Sequence, residues 1–174
     1  MKGEELRGGV ALLVKHSLWE YIHDVRIEHD VRIEHDQIWF KLLCCPELQF
    51  GTVYIPPADS PYFTPASFAK IQEMILYHAN KSVIFGDFNA RICNLNVFDD
   101  PTRGIRYGNN VDGGMNNNGK QLADLSLKCE LKPINHLKFK HSSFDGSYTY
   151  KQGSTWKSQI DWAPCYHNML ASRD

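Results

Sequence analysis

Ser82-Val83-Ile84-Phe85-Gly86-Asp87-Phe88-Asn89 is the stretch on which the reading of this chain turns. An apolar run, Val83 to Phe85, reads as a short buried strand, and it runs straight into a glycine, a carboxylate and a carboxamide. Extended backbone places Asp87 and Asn89 on one side, with Phe88 turned the other way to anchor the tip in the core. Gly86 lets a neighbour approach the backbone closely. A carboxylate at a strand end accepts a proton from an attacking water, and an amide beside it orients that water or holds a phosphate oxygen. The pair suits phosphoester hydrolysis assisted by a divalent ion. An Asx turn closing a strand has the same D-x-N signature, so the tetrapeptide alone leaves both readings open.

Outward from this point, strands alternate with two helices. Upstream, Gly8-Gly9 leads into Val10-Ala11-Leu12-Leu13-Val14, which reads as a buried strand. Residues 25–36 are a tandem copy, VRIEHD-VRIEHD. Its even length keeps strand alternation in phase, so Val25, Ile27, Val31 and Ile33 are expected on one face of a lengthened surface hairpin. Ile38 to Leu43 and Phe50 to Ile55 read as strands, the second stopped by Pro56-Pro57. Phe68, Ile71, Met74 and Ile75 fall at helical spacing after Pro65. Residues 90–118 are rich in glycine and asparagine and read as a long surface loop with at most one short turn. A helix follows Asn118-Gly119, with Leu122, Leu125, Leu127 and Cys129 on its apolar side. Strand starts are expected at Leu131, Ser147 to Tyr150, and Ser158 to Trp162. The pattern is mixed α/β in layers, not a doubly wound sheet. It fits one domain of 174 residues, with 43% hydrophobic side chains to build a core.

The net charge is -1, so bulk charge does not mark a nucleic-acid binder. Its distribution is uneven. Residues 1–60 carry six basic and ten acidic side chains, whereas 120–157 carry seven basic and three acidic ones. The second region could meet phosphates or form a solvated lysine face. The longest apolar stretch near the start, Val10 to Val14, is too short for a membrane span or a signal-peptide core. An intracellular protein, nuclear or cytoplasmic, is expected. Five cysteines without a CxxC argue against a thiolate zinc site. Cys44 and Cys45 are expected to point to opposite faces of a strand, as free thiols.

Two further segments bear on chemistry. In Ser158-Gln159-Ile160-Asp161-Trp162, Asp161 alternates with Ile160 and needs a hydrogen-bond donor if buried. In Gly51-Thr52-Val53-Tyr54-Ile55-Pro56-Pro57, Tyr54 sits beside a rigid corner, as a core residue with a wet tip or as a phenol reaching a phosphate.

Taken in order, RGGVALLVK (7–15), IWFKL (38–42), GTVYIPP (51–57), SVIFGDFNAR (82–91), NNNGKQLADL (116–125), LKPIN (131–135), SYTY (147–150) and GSTWKSQIDW (153–162) resemble the endonuclease/exonuclease/phosphatase superfamily. They look most like the endonuclease domain of LINE-type, non-LTR retrotransposons. The resemblance implies a four-layer α/β sandwich of two mixed sheets with helices outside, and hydrolysis of phosphoesters with Mg²⁺ or Mn²⁺. By motif match, Asp87 would position or deprotonate the water, and it is the one candidate metal ligand. Asn89 would orient the water and contact the scissile phosphate. Tyr54 would be the active-site tyrosine, and Asp161 would orient a catalytic histidine. Asn118 would lie near the phosphate path, and Arg91, Lys151 and Lys157 would face the backbone of DNA, the expected partner.

The chain departs from the family pattern at both ends. Six residues precede Arg7, and Glu4 and Glu5 do not match the family's metal-binding glutamate segment. No Ser-Asp-His follows the IDW segment, and His167 reads as a surface histidine. The expectation is therefore a domain incomplete at both ends, of endonuclease lineage, with weak or no turnover. The alternatives are a non-catalytic descendant that binds nucleic acid or protein, and a small-substrate phosphatase or phosphodiesterase of the same superfamily.

Overall fold

Three strands build the centre of the molecule: β2 (Ile33–Leu42), β3 (Gln49–Tyr54) and β4 (Ser82–Asp87). The computed structural model describes residues 9–30, 33–78, 81–93, 95–103, 107, 113–135, 150–152, 154–158 and 161–166. In β3, Gln49, Gly51 and Val53 are buried while Phe50, Thr52 and Tyr54 are half-buried. That period of two is what a strand with one core face requires. β2 and β3 pair antiparallel across the Pro46-Glu47 turn, and β3 pairs parallel with β4. A parallel pair needs a crossover. It is supplied by α1 (Ala66–Tyr77), which buries Phe68, Ile71 and Ile75.

β1 (Ile22–Asp30) adds antiparallel to the outer side of β2. On the far side of β4 lie β8 (Asp161–Trp162) and β9 (Pro164–Tyr166), and beyond β9 lies β5 (Leu131–Pro133). β8 and β9 keep one antiparallel register against β4: Asp87 with Asp161, Gly86 with Trp162, Val83 with Cys165. They are one strand interrupted at Ala163, whose backbone is diverted to Asn135 and Ile134. The result is a seven-stranded mixed sheet. α2 (Asn117–Lys128) joins α1 over a core containing Trp39, Val53, Ile55, Ile84, Phe88, Leu122 and Trp162. A separate two-stranded sheet, β6 (Tyr150–Gln152) with β7 (Thr155–Ser158), completes the described strands. The architecture is thus mixed α/β, as expected. A second large sheet is not among the described residues.

Several sequence expectations are corrected. Val10 to Val14 is not a strand: it has no ladder partner among the described residues, and Leu13 is 95% exposed. Apolar alternation makes a strand only where a neighbour satisfies its backbone. Of the apolar residues of the VRIEHD repeat, Val25 and Ile27 are exposed on β1. In the β1–β2 hairpin Asp30 pairs with Ile33, whereas Arg26, Ile27 and Glu28 pair with Trp39, Ile38 and Gln37, beyond the second copy. Val31 and the side chains of 28–35 lie outside the described residues. Residues 90–118 are not a surface loop throughout. Ala90, Ile92, Leu95, Phe98 and Tyr107 are buried in the core, and two short 3₁₀ turns, Asn96–Phe98 and Pro101–Arg103, lie among them. Scattered glycines and asparagines hid this apolar set because it follows neither helical nor strand spacing. The expected strand Ser158 to Trp162 is divided between β7 and β8, with 159–160 outside the described residues. Glu4, Glu5, 147–149 and His167 also lie outside them.

Gly86 is required where it stands. Its φ is +157, and a Cβ there would collide with the Val53 carbonyl of the adjoining strand. A side chain can be admitted only by separating β3 from β4. Gly86→Ala is expected to cost at least about 2 kcal/mol in urea unfolding, with loss of the native near-UV signal well before the helical signal.

Candidate functional site

Tyr54, Asp87 and Asp161 stand in register on three adjacent strands. Tyr54 is paired with Asp87 across β3–β4, and Asp87 with Asp161 across β4–β8. Cross-strand partners present their side chains on one face. This face also carries Phe40, stacked on Phe50 with ring centroids 5.6 Å apart, and it lies opposite the face covered by α1 and α2. The row sits at the β4 end where the chain leaves the sheet. All three side chains are half-buried.

Their electrostatics are coupled. Burial lifts Asp87 from the usual 3.8 to about 6, against an opposing hydrogen bond from the Asn89 backbone and with a smaller push from the Asp161 carboxylate. Burial and then the Asp87 charge raise the Tyr54 phenol above its ordinary value, so it stays a hydroxyl donor at neutral pH. The row therefore joins a carboxylate poised close to neutrality, a like-charged neighbour and a protonated phenol.

The tip after β4 is a turn. Phe88 is fully buried, as its alternation predicts. Asn89 is not extended: its φ is +46, a left-handed conformation that asparagine tolerates. Its backbone N–H donates to Asp87 Oδ1 at 2.8 Å, an Asx turn. The Asx-turn reading of D-x-N is thus realised, and the half-buried carboxylate also lies in the Tyr54–Asp161 row. Strand alternation does not place Asn89. Instead its Nδ2 donates to the Ile55 carbonyl at 2.9 Å, which holds the carboxamide beside the end of β3.

Each carbonyl of the turn has its own donor. The Asp87 carbonyl accepts from Ile55 N–H at 2.8 Å, and that of Phe88 from Asn118 Nδ2 at 2.9 Å. The Asn89 carbonyl accepts from Asn116 Nδ2 at 2.8 Å, and that of Ala90 from the Trp162 indole at 2.8 Å. Asn116 N–H donates to the Arg91 carbonyl at 3.2 Å. Asn116 also caps α2, its Oδ1 accepting from Gly119 N–H at 2.8 Å and Arg91 N–H at 2.9 Å. Gly119 makes the close approach possible, because a Cβ there would strike the Arg91 carbonyl.

Asn118 is fully buried, and its amide donates to the Phe88 and Pro56 carbonyls, the latter at 3.0 Å. It ties the ends of β3 and β4 together from inside. Arg91 is exposed beside the turn. Lys151 and Lys157 lie on the β6–β7 sheet, and their side chains are outside the described residues. The sequence reading missed Asn116, the Trp162 indole and Asn135, which accepts from Ala163 N–H at 2.7 Å and donates to the Asp161 carbonyl at 3.2 Å. An asparagine three residues before Gly119 at a helix start was the available signal for Asn116.

Among the described residues, no three His, Cys, Asp or Glu side chains form a metal-holding group. The local donors are oxygens: two carboxylates, a phenol and a carboxamide. That set matches a hard cation such as Mg²⁺, which takes one or two carboxylates and completes its shell with water and substrate phosphate. A cation there would also favour the ionised form of Asp87 against the burial that raises it.

No protein-family model and no curated protein matches the chain. Among solved structures, the chain is similar to the endonuclease domain of TRAS1, a telomere-specific non-LTR retrotransposon, at 14% identity and a TM-score of 0.49. The likeness covers 85% of this chain and 57% of that one, so the chain spans little more than half of that domain's length. No helix among the described residues is long and apolar enough to cross a membrane.

Two outcomes follow from the site's physics. Asn118→Ala strips donors from two buried carbonyls and is expected to cost about 2–4 kcal/mol in urea unfolding. Asp87 binds its proton more tightly folded than unfolded. Its contribution to stability is therefore fully present below pH 3.8 and is lost as pH rises through about 6. Asp87→Asn should flatten the stability profile across that window. It should also gain on the native protein at pH 7 by on the order of 1 kcal/mol, after allowance for partial solvent screening. An unchanged profile in Asp87→Asn would contradict the raised pKa.

Proposed function

We propose that the Tyr54–Asp87–Asp161 row is a phosphoester-hydrolysing centre of the endonuclease lineage, acting on DNA with Mg²⁺ or Mn²⁺. The observation that carries this reading is the register: two carboxylates and a phenol aligned across β3, β4 and β8, at a strand end whose backbone is tied down on every carbonyl. Asp87 is the general base, since a pKa near the working pH combines adequate deprotonation with useful basicity. Burial keeps that basicity high, with a smaller contribution from Asp161. Asn89, fixed to the Ile55 carbonyl, orients the water or a phosphate oxygen. Tyr54 donates a hydrogen bond to a non-bridging oxygen as negative charge gathers there. Asp87 and Asp161, with Asn89 and Tyr54 nearby, are the residues that would hold the cation. Such an ion supplies charge neutralisation to the transferring phosphate. Asn118 and Asn116 act as positioning residues through the turn, and the exposed Arg91 meets the DNA backbone by charge.

The test is relaxation of supercoiled plasmid by the chain with Mg²⁺ or Mn²⁺. Nicking is expected to fall at least about 100-fold in Asp87→Ala. Nicking that persists in Asp87→Ala refutes the assignment. Retention of DNA without cleavage selects the binding descendant, and hydrolysis of a small phosphomonoester without nicking selects the phosphatase. A carboxyl NMR titration reads the metal directly: millimolar Mg²⁺ should move the Asp87 midpoint below about 6. An Asp87 midpoint indifferent to Mg²⁺ removes it from the ligand set.

A further inference from the structure

β2 ends at Leu42, and the chain turns through 43–47 before β3 begins. Cys44 and Cys45 therefore do not sit on a strand pointing to opposite faces. They stand in this turn with their Sγ atoms 3.8 Å apart. The turn is braced by Cys45 N–H to the Leu42 carbonyl at 3.1 Å and Leu48 N–H to the Cys45 carbonyl at 3.0 Å. Cys44 is exposed and Cys45 half-buried, both as free thiols.

The separation discriminates between two fates of the pair. A trans peptide holds adjacent Cα atoms about 3.8 Å apart, below the roughly 4.4–6.8 Å that ordinary disulfides span. Closing the sulfurs to about 2.05 Å would store strain and leave a readily reduced bond. A third atom bridging them needs no closure. Two soft-centre–sulfur bonds of about 2.3 Å, meeting at ~95–110°, span about 3.4–3.8 Å. No three His, Cys, Asp or Glu side chains group as ligands among the described residues, so a centre satisfied by two protein sulfurs is favoured over tetrahedral zinc.

A second feature specifies what that centre carries. Cys44 lines an apolar hollow of about 400 Å³ together with Leu12, Leu13, Leu18, Tyr21 and Leu42. A ring or alkyl group attached to the bridging atom would find hydrocarbon beside it.

We infer that Cys44 and Cys45 form a bidentate dithiol site for a soft, thiophilic electrophile bearing an apolar substituent, the class represented by trivalent organoarsenicals. The reaction is a condensation. Each sulfur forms one bond to arsenic, the arsenic–oxygen bond breaks, and the two thiol protons leave with that oxygen as water. No electrons change hands. Burial and the Cys44 thiol raise Cys45 above the ordinary thiol range, so it enters as a protonated thiol.

The probe is phenylarsine oxide with the full chain, read by intact mass and by alkylation mapping. One adduct per chain is expected, released by a dithiol such as 2,3-dimercaptopropanol and resistant to a monothiol. Cys44→Ser and Cys45→Ser should each lose at least about 100-fold in affinity, because the second bond becomes intermolecular. Cys93→Ser, at the other exposed cysteine, should lose nothing. In the native chain the probe should protect Cys44 and Cys45 together from alkylation and leave Cys93 reactive, a readout independent of how the variants fold. Inorganic arsenite, lacking the ring, should bind at least about 10-fold more weakly. Protection of one cysteine of the pair without the other, an adduct requiring Cys93, or equal affinity in Cys45→Ser overturns the site.

Discussion

The arrangement depends on satisfying the backbone of one short turn. Residues 87–91 leave the sheet with their carbonyls facing inward, where an unpaired one costs about 1–3 kcal/mol. Each instead meets a donor from one of three other segments of the chain: Ile55, Asn118, Asn116, Trp162 and again Asn116. The turn is thereby fastened at once to β3, to the start of α2 and to β8. A carboxylate held on such a frame has little freedom to move away from its neighbours, which is what a preorganised site requires.

The same frame accounts for the perturbed acid. Asp87 is half-buried, faces Asp161 across a ladder, and receives one compensating hydrogen bond from Asn89. Burial and repulsion outweigh that bond, and the pKa rises to about 6. A structural carboxylate would ordinarily be paired with a cation or removed from the sheet. Beside a second carboxylate, Asp87 carries a stability cost at neutral pH.

Two regions show how tertiary context overrides pattern. Val10 to Val14 has the composition of a buried strand, yet strand formation is a property of a pair, and no partner is present among the described residues. Residues 90–118 have the composition of a loop, yet Ile92, Leu95, Phe98 and Tyr107 are drawn into the core. In the first case apolar pattern overstated structure, and in the second its irregularity concealed it.

From the sequence alone came the elements with strong local signals: β2, β3 and β4 by apolar run and turn chemistry, α1 and α2 by helical spacing, and burial of Phe88 by alternation. The carboxylate and carboxamide after β4 were visible there as well, because residue type and strand end are local facts. Which residues meet them was decided only in three dimensions. The pairing of Tyr54, Asp87 and Asp161 depends on strand register, which joins positions up to 107 residues apart in the numbering. The left-handed Asn89, the Asn116 and Trp162 anchors and the facing thiols of Cys44 and Cys45 likewise arise from backbone groups seeking partners. Periodicity reports which face a residue prefers, whereas hydrogen-bond satisfaction across distant segments fixes what that face finally touches.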